Sequence, residues 1–484
     1  MALVGLPLHV IVIIAGAVLV TVIGVWHTPN GVSCDATENM YRLSIFTSST
    51  KSLYPFKATV RNETALGTCK AVALYGLIRH GTRYPQKKDI QRFKEFFASL
   101  SQKLRNIRYG GGDDGGNGAQ IGSLLSALHG WENRLHEEDA SKLTHHGSRE
   151  QFCLAKRLAQ RQVRYPSLLE EKYCSSTYAF KSTQLSRTIE SALSFAHGLF
   201  EGRGPLNGYQ PITLDVVGTH EDKLLRFFDH CPYYLKMKEE EVFAQEFQNS
   251  HHIHQMVARV QAIINTEQQV WNMTFKDIQS AYKLCISEHV VFGDSIWCRL
   301  FSHHDMDVME YHADLKLYWT KGHGRDINWK SAAPLVADML EHLKVAQDSV
   351  LHAQVRKPRK ATFRFAHAET LLPFVAFWGL MNDSQPLRHD NYLEMVDRWF
   401  RGSSITPFSA NVMCVLYDCG SDAEDGERFR VRLLLNEMGV VSPFCRKPDN
   451  YGMCPFSEFD NHFVNKTGGQ NFSEICDVRA QTHS

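Results

Sequence analysis

The sequence has no excess of charge in either direction: 53 Lys+Arg stand against 52 Asp+Glu, a formal net charge of +1 over 484 residues. No global basic field is therefore present to hold nucleic acid or an anionic membrane, and an anionic partner has to be gripped by a local cluster of cations. No Cys-x2-Cys pair occurs among the 12 cysteines, so the spacing that tetrahedral zinc sites favour is missing. No internal repeat of about 20–50 residues is found, which excludes solenoids and propellers. No Lys or Arg precedes Arg42, so flanking charge cannot orient an N-terminal membrane segment. Gln481–Ser484 is neither a KDEL-type tail nor part of an apolar GPI-type tail. The remaining proportions, 43% hydrophobic, 22% charged and 11% aromatic, are those of globular chains and exclude a collagen-like fibre, a coiled-coil rod or a mostly disordered chain.

What is present begins with an apolar run from Leu3 to Trp26, interrupted mainly by Pro7, His9 and Thr21. It reaches the ~20 residues that a helix needs to cross a bilayer, whereas the core of a signal peptide usually has only about 7–15. A cleaved signal and an uncleaved N-terminal anchor are both open, with membrane attachment through residues 3–26 in the second case. Either places the rest of the chain in the secretory pathway: the endoplasmic reticulum lumen, the cell surface or the exterior. An even number of spread cysteines in an exported chain favours disulfides. Cys414/Cys419 and Cys445/Cys454 are candidate local pairs. Asn-x-Ser/Thr acceptors at Asn62, Asn272, Asn382, Asn465 and Asn471 fit a glycoprotein.

Residues 1–26 are thus a signal peptide or anchor, and 27–68 read as a lead-in segment. Ala71 to Ile78 is a compact apolar run with the length and flanks of a buried strand. A helix is expected from about Gln86 to Arg108, then a glycine-rich loop from Tyr109 to Gly118. Helical spacing over Gly147–Val163, a strand over Ser176–Ser182 and a helix over Leu185–Phe200 follow. Residues 216–344 carry long charged, helical segments with only weak strand signals around Val290–Phe292. Strands return at Ala361–Ala366, Asn411–Tyr417 and Phe429–Leu435, where alternating Phe429, Val431, Leu433 and Leu435 read as a half-buried strand. The predicted organisation is an α/β core in two parts, 69–215 and 345–484 with its C-terminal tail, interrupted by a helical insertion domain over 216–344.

The chemistry concentrates in Arg79-His80-Gly81-Thr82-Arg83-Tyr84-Pro85, just past the first predicted strand. Ligands of α/β sheets bind outside the carboxyl ends of strands, and a helix opening there would add free N–H groups for an anion. Guanidinium forks match phosphate oxygens bidentately, and an imidazole among them can attack phosphorus. His367-Ala368-Glu369-Thr370 follows another strand and precedes an apolar helix. Ser182-Thr183-Gln184-Leu185-Ser186-Arg187-Thr188 again runs a strand into a helix start. On local sequence alone, Arg187 is as well explained as a surface residue, and Glu369 as a helix N-terminal charge.

The Arg-His-Gly-x-Arg-x-Pro pattern resembles the signature of the histidine acid phosphatases, branch 2 of the histidine phosphatase superfamily. His-Ala-Glu at 367–369, where acid phosphatases of that branch usually carry His-Asp, resembles the multiple inositol polyphosphate phosphatases. Leu143-Thr144-His145-His146-Gly147, Asp222–Cys231 and Asp314-Leu315 with Tyr318-Trp319 and Gly322-x-Gly324 fit the same subfamily. The resemblance covers about residues 60–450. It implies a mixed sheet core with helices on both faces, of the histidine phosphatase/phosphoglycerate mutase-like type, plus an inserted helical domain.

The same resemblance implies site roles. His80 is the nucleophile that becomes a phosphohistidine, and Glu369 is the proton donor to the leaving alcohol. Arg79, Arg83, Arg187 and His367 bind the phosphate. The expected substrate is a phosphorylated small molecule, an inositol polyphosphate including inositol hexakisphosphate, with no metal and no cofactor. A broader acid phosphatase, acting on phosphoproteins or on small phosphates such as 2,3-bisphosphoglycerate, is the competing reading. An inactive protein that only binds inositol phosphates at a surface is opposed by the intact residues. Lys223 and Arg226 are candidates for peripheral phosphates, although a solvated helix face explains them more simply. The clusters His251-His252-x-His254 and His303-His304-Asp305-x-Asp307 lack a complete ligand set. The basic run Arg356–Lys360 reads as a solvated loop.

Overall fold

Ten residues from Lys70 to Arg79 form strand β1. Tyr178–Thr183 is β2, Leu214–Val217 β3, Ala361–Ala366 β4, Asn411–Asp418 β5, Phe429–Leu435 β6, Met438–Val440 β7 and Cys454–Pro455 β8. They make one sheet in the order β3-β2-β4-β1-β5-β6-β7, with β8 also on β6. The pairs β1/β4, β2/β4 and β2/β3 are parallel, and β5, β6, β7 and β8 add antiparallel strands. The computed structural model describes residues 34, 48–54, 69–104, 117–160, 168–169, 172–265, 271–352, 358–420 and 427–479. All of these except Cys34 belong to one compact unit, Ala36–Ser484. The apolar run 3–26, the lead-in apart from residues 34 and 48–54, most of the glycine-rich loop, Asn62, and Arg356 and Lys357 lie outside the described residues.

The near-continuous apolar run of β1 has a direct cause, since both faces of the strand are covered. Ala73, Tyr75 and Leu77 enter one core, Leu74 and Ile78 the other. The second core is closed by the helices His145–Gln160 and Ser186–Leu199. The first is closed by Ala333–Leu351, Ala368–Phe377 and the helices between β3 and β4. A mixed sheet with helices on both faces is thus the observed fold. Between β3 and β4 no further strand occurs among the described residues, and helices run from Pro232 to Leu351.

Four details differ from expectation. The strand signal at Val290–Phe292 lies inside the helix Phe275–Phe292, which a Thr274/Asp277 capping box opens and left-handed Gly293 closes. Termini of this quality, with tertiary packing, override the β-branched preference of two valines. Strand β6 is buried along its whole length, because partners flank both its edges and Arg430 also turns inward to donate to Lys447 O and Met453 O. The segment Asp222–Cys231 is a set of turns with one 3-10 turn at Phe227–Asp229, not an α-helix.

The fourth concerns disulfides. Cys445–Cys454 forms as expected, but Cys419 pairs with Cys69 and leaves Cys414 as a buried thiol. Cys414 sits within β5, and five residues of strand span about 16 Å, beyond the reach of a disulfide. Cys231–Cys476 and Cys285–Cys298 are further bridges, and Cys34 and Cys153 are also disulfide-bonded. This set fits an oxidising, secretory-pathway environment. No helix among the described residues is long and apolar enough to cross a membrane. The sequon residues Asn272, Asn382, Asn465 and Asn471 are all exposed.

Candidate active site

Parallel register brings the two histidine motifs together. Arg79 of β1 pairs with Ala366 of β4, so the next residues, His80 and His367, leave the sheet side by side. Their rings stand 5.5 Å apart, edge to face. Ser182 of β2 pairs with Phe365 of β4, which delivers Arg187 to the same edge on the first turn of the helix Ser186–Leu199. Glu369 lies in the first turn of the helix Ala368–Phe377. The site therefore forms at the carboxyl ends of three parallel strands.

The His80 turn differs from expectation in one respect. The helix after it begins only at Lys87, so no helix N-terminus cradles His80. Instead, residues 80–85 cross to Lys142–Thr144, with Arg83 bridged to Leu143 and Tyr84 N donating to Lys142 O at 3.0 Å. The two helix starts that do face the pocket carry Arg187 and Glu369. The Leu143–Gly147 motif thereby acquires its physical meaning. A Cβ on Gly81 would lie 2.3 Å from Gly147 O, and one on Gly147 would lie 2.2 Å from Thr82 O.

The side chains at this edge are held from behind. Arg79 Nη1 donates to Thr50 O at 2.5 Å and to Thr406 O at 2.6 Å, with its guanidinium 4.5 Å above the Phe408 ring. His80 Nδ1 lies 2.9 Å from Gly81 O. A carbonyl only accepts, so Nδ1 carries the proton and the Nε2 lone pair is available. Glu150 accepts from Thr82 N at 2.8 Å, Thr82 Oγ1 at 2.9 Å and Ser409 Oγ at 2.9 Å, and pairs with His146 at 3.1 Å. Gln151 Nε2 donates to Arg79 O and Ser409 Oγ. Ser409 itself adopts φ 59° and donates its N–H to His80 O. Glu150, Gln151, Ser409 and Thr406 escaped sequence reading because their work is to position other residues, and no local pattern marks that.

The electrostatics follow from burial among cations. Burial and the neighbouring Arg79, Arg187, His367 and Arg83 hold the His80 imidazole well below its ordinary pKa, hence neutral. Burial and Arg187 push His367 down to about 3. Burial lowers Arg79 to about 9 and Arg187 to about 10, which leaves both charged near neutrality. The buried atoms Arg79 Nε, Arg83 Nε, Arg187 Nε and His367 Nε2 have no hydrogen-bond partner. So many buried donors without acceptors call for an oxygen-rich anion. Arg226 joins them in part: it perturbs both Arg187 and His367 and its Nε is likewise buried and unpartnered, while its Nη2 pairs with Asp229. Thr370 Oγ1 donates to Leu225 O at 2.7 Å and fixes that neighbourhood. Lys223, by contrast, is solvent-exposed.

Glu369 is the residue whose state differs most from its expected role. Burial opposes its ionisation, but Lys321 Nζ, 2.9 Å from Oε1, overcomes this and holds the carboxyl well below the ordinary range. The Glu369 side chain keeps 40% of its exposure and Lys321 15%, so the pair borders the open pocket. Lys321 carried no motif of its own and was missed. The histidine clusters set aside as metal ligands have other partners. His252 and His304 pack on Tyr392, and Asp305 caps the helix His303–Lys321 and pairs with Arg259.

Comparison with known proteins agrees with this geometry. The family model described as the histidine phosphatase superfamily (branch 2) matches residues 73–436. Multiple inositol polyphosphate phosphatase 1 of Homo sapiens is 30% identical over 422 residues, covering 85% of this chain and 82% of that protein. Among solved structures, the phytase from D. castellii superposes with a TM-score of 0.69 at 16% identity, covering 90% of this chain and 86% of its own. The Bifidobacterium longum multiple inositol polyphosphate phosphatase in complex with inositol hexasulfate gives 0.62 at 17%, covering 87% and 97%. With its sheet, its paired histidines and its arginines in these places, the chain belongs to branch 2 of the histidine phosphatase superfamily, as an enzyme of the histidine acid phosphatase type.

Proposed function

We propose that this enzyme hydrolyses inositol polyphosphates, inositol hexakisphosphate included, through a phosphohistidine formed on His80. The observation that carries the reading is the His80 imidazole, neutral and tied at Nδ1, beside His367 and three arginines with buried unpartnered donors. His80 Nε2 attacks phosphorus as the P–O bond to the inositol breaks. Arg79, Arg83, Arg187 and His367 hold the equatorial oxygens, whose charge spreads in the transition state. Glu369 gives its proton to the departing oxygen, since an alkoxide leaves poorly. Water then attacks phosphorus, the P–N bond breaks, and Glu369 takes the water proton. The guanidinium groups supply the cationic field that the transferring phosphoryl needs, so the scheme uses no metal. The helical residues 216–344, read as an insertion domain, contribute Arg226 and Lys321 to the pocket rim. The relatives' printed names and the inositol hexasulfate bound by the Bifidobacterium longum protein support the substrate class. Secretion or attachment through residues 3–26 completes the reading.

Purified His80→Ala should release no phosphate from inositol hexakisphosphate; turnover at the parental rate would overturn the role of His80. Parental turnover in EDTA is expected, and loss of it counts against the metal-free scheme. Faster turnover of 2,3-bisphosphoglycerate or a phosphoprotein than of inositol hexakisphosphate would move the enzyme to the broader acid phosphatase reading. Separation of the inositol phosphates produced tests activity and the position attacked together.

A further inference from the structure

The free enzyme holds its proton donor in the wrong form. Lys321 Nζ sits 2.9 Å from Glu369 Oε1, and a carboxylate so paired has no proton to give. Lys321 is the last residue of the helix His303–Lys321, with its ammonium turned to the pocket side and little exposed. The other titratable groups that act on Glu369 are Arg79, Arg83, Arg187 and the neutral His367 from the same edge. From the helix Pro232–Glu239, Lys238 and Tyr234 also face it. Among these groups, Lys321 alone forms an ion pair with Glu369. Lys238 feels Lys321, Glu369 and Asp229, so a second ammonium group acts on the acid.

Resting on the proposed phosphatase activity, we propose that Lys321 is a specificity-determining residue that releases Glu369 only to substrates carrying a second phosphate near the scissile one. That neighbouring phosphate pairs with the Lys321 ammonium, assisted by Lys238, and the 2.9 Å contact to Glu369 is lost. Glu369, left beside a polyanion without its counter-ion, takes a proton from solvent. The proton then passes to the leaving oxygen as the P–O electron pair moves there. A phosphomonoester with no second phosphate leaves the Lys321–Glu369 pair closed, and its alkoxide departs unassisted. Discrimination therefore falls on turnover as well as on binding.

The test compares the pH dependence of kcat, which reports groups in the enzyme–substrate complex. With the parental enzyme, the fall of kcat on the alkaline side should lie at least about one pH unit higher for inositol hexakisphosphate than for glycerol 2-phosphate. p-Nitrophenyl phosphate, whose leaving group needs no proton, serves as the reference. In Lys321→Met, the glycerol 2-phosphate limb should move up towards that of inositol hexakisphosphate. The ratio of glycerol to p-nitrophenyl phosphate turnover near pH 6 should rise about tenfold, one pKa unit being a factor of ten. Lys321→Arg should keep the parental gap. Coincident limbs in the parental enzyme overturn the inference without any variant, and so does an unchanged gap in Lys321→Met. A parental enzyme that releases no phosphate from inositol hexakisphosphate instead overturns the functional reading itself.

Discussion

Gly81 and Gly147 lie at one close crossing of the chain: a Cβ on Gly81 would meet the Gly147 backbone, and one on Gly147 would meet the Thr82 backbone. Gly81→Ala forces the His80 turn away from Lys142–Gly147, an overpacking that costs about 1–3 kcal/mol. The expected result is a lower melting temperature together with loss of phosphate release; an unchanged variant would mean that the two turns are free to part. Arg226→Ala is expected to raise KM for inositol hexakisphosphate about tenfold, since a charge-assisted contact contributes about 1.5–3 kcal/mol. Parental steady-state kinetics for that variant would remove Arg226 from the pocket. At this scale much was legible. Arg79, His80, Arg83, Arg187, His367 and Glu369 stand in recognisable patterns because reacting groups tolerate little change in type or spacing. Arg226 was singled out only together with the exposed Lys223, and Lys321 not at all, since a lone cation on a helix or turn reads the same whether it faces solvent or substrate.

Elements place these residues, and here the reading was partial. The strands β1, β2 and β4 were predicted to within about two residues, because buried apolar runs with clear flanks leave few alternatives. The short strand β3, four residues with little burial, gave no usable signal. The crossing of the six residues between His80 and the next helix to Lys142–Thr144 was not anticipated, nor was the role of the helix His145–Gln160 in bracing them. Glu150 on that helix receives both donors of Thr82, and Glu150→Gln should loosen the turn. The measurable consequence is a lower kcat for every phosphomonoester with KM little altered, which a merely stabilising residue would not produce in a fully folded sample. Cys69–Cys419 ties the start of β1 to the end of β5 across 350 residues of chain. Replacing both cysteines by serine is expected to lower stability by about 2–4 kcal/mol, read in a denaturant titration.

For the whole molecule, acid is the condition to watch. Partly buried His312, His323 and His342 are pushed down to about 4, and buried His367 to about 3. Below the ordinary histidine value near 6.5, the unfolded chain binds protons that the folded chain refuses, so stability falls as pH drops from about 6.5 towards about 4. Asp314, raised by burial to about 6, contributes in the opposite sense, because its folded form gains the proton first. The histidines outnumber it, and melting temperatures between pH 7 and pH 4.5 should decline; a flat profile would contradict their neutral state. Inorganic phosphate should offset part of the decline by binding the folded pocket alone. The fold class was legible because strands and helices alternate at both ends of the chain. The pairing of Cys69 with Cys419 and the mixed strand order were not, since contacts between residues hundreds of positions apart leave no local trace.

Strand β1 ends one residue before His80 and lies between β4 and β5, neither of which begins before residue 361. During synthesis, a ten-residue apolar segment thus leaves the ribosome with neither neighbour yet made. The histidine pair cannot come together until most of the length has been translated, and for that interval an apolar strand has two unpaired edges open to association with other chains.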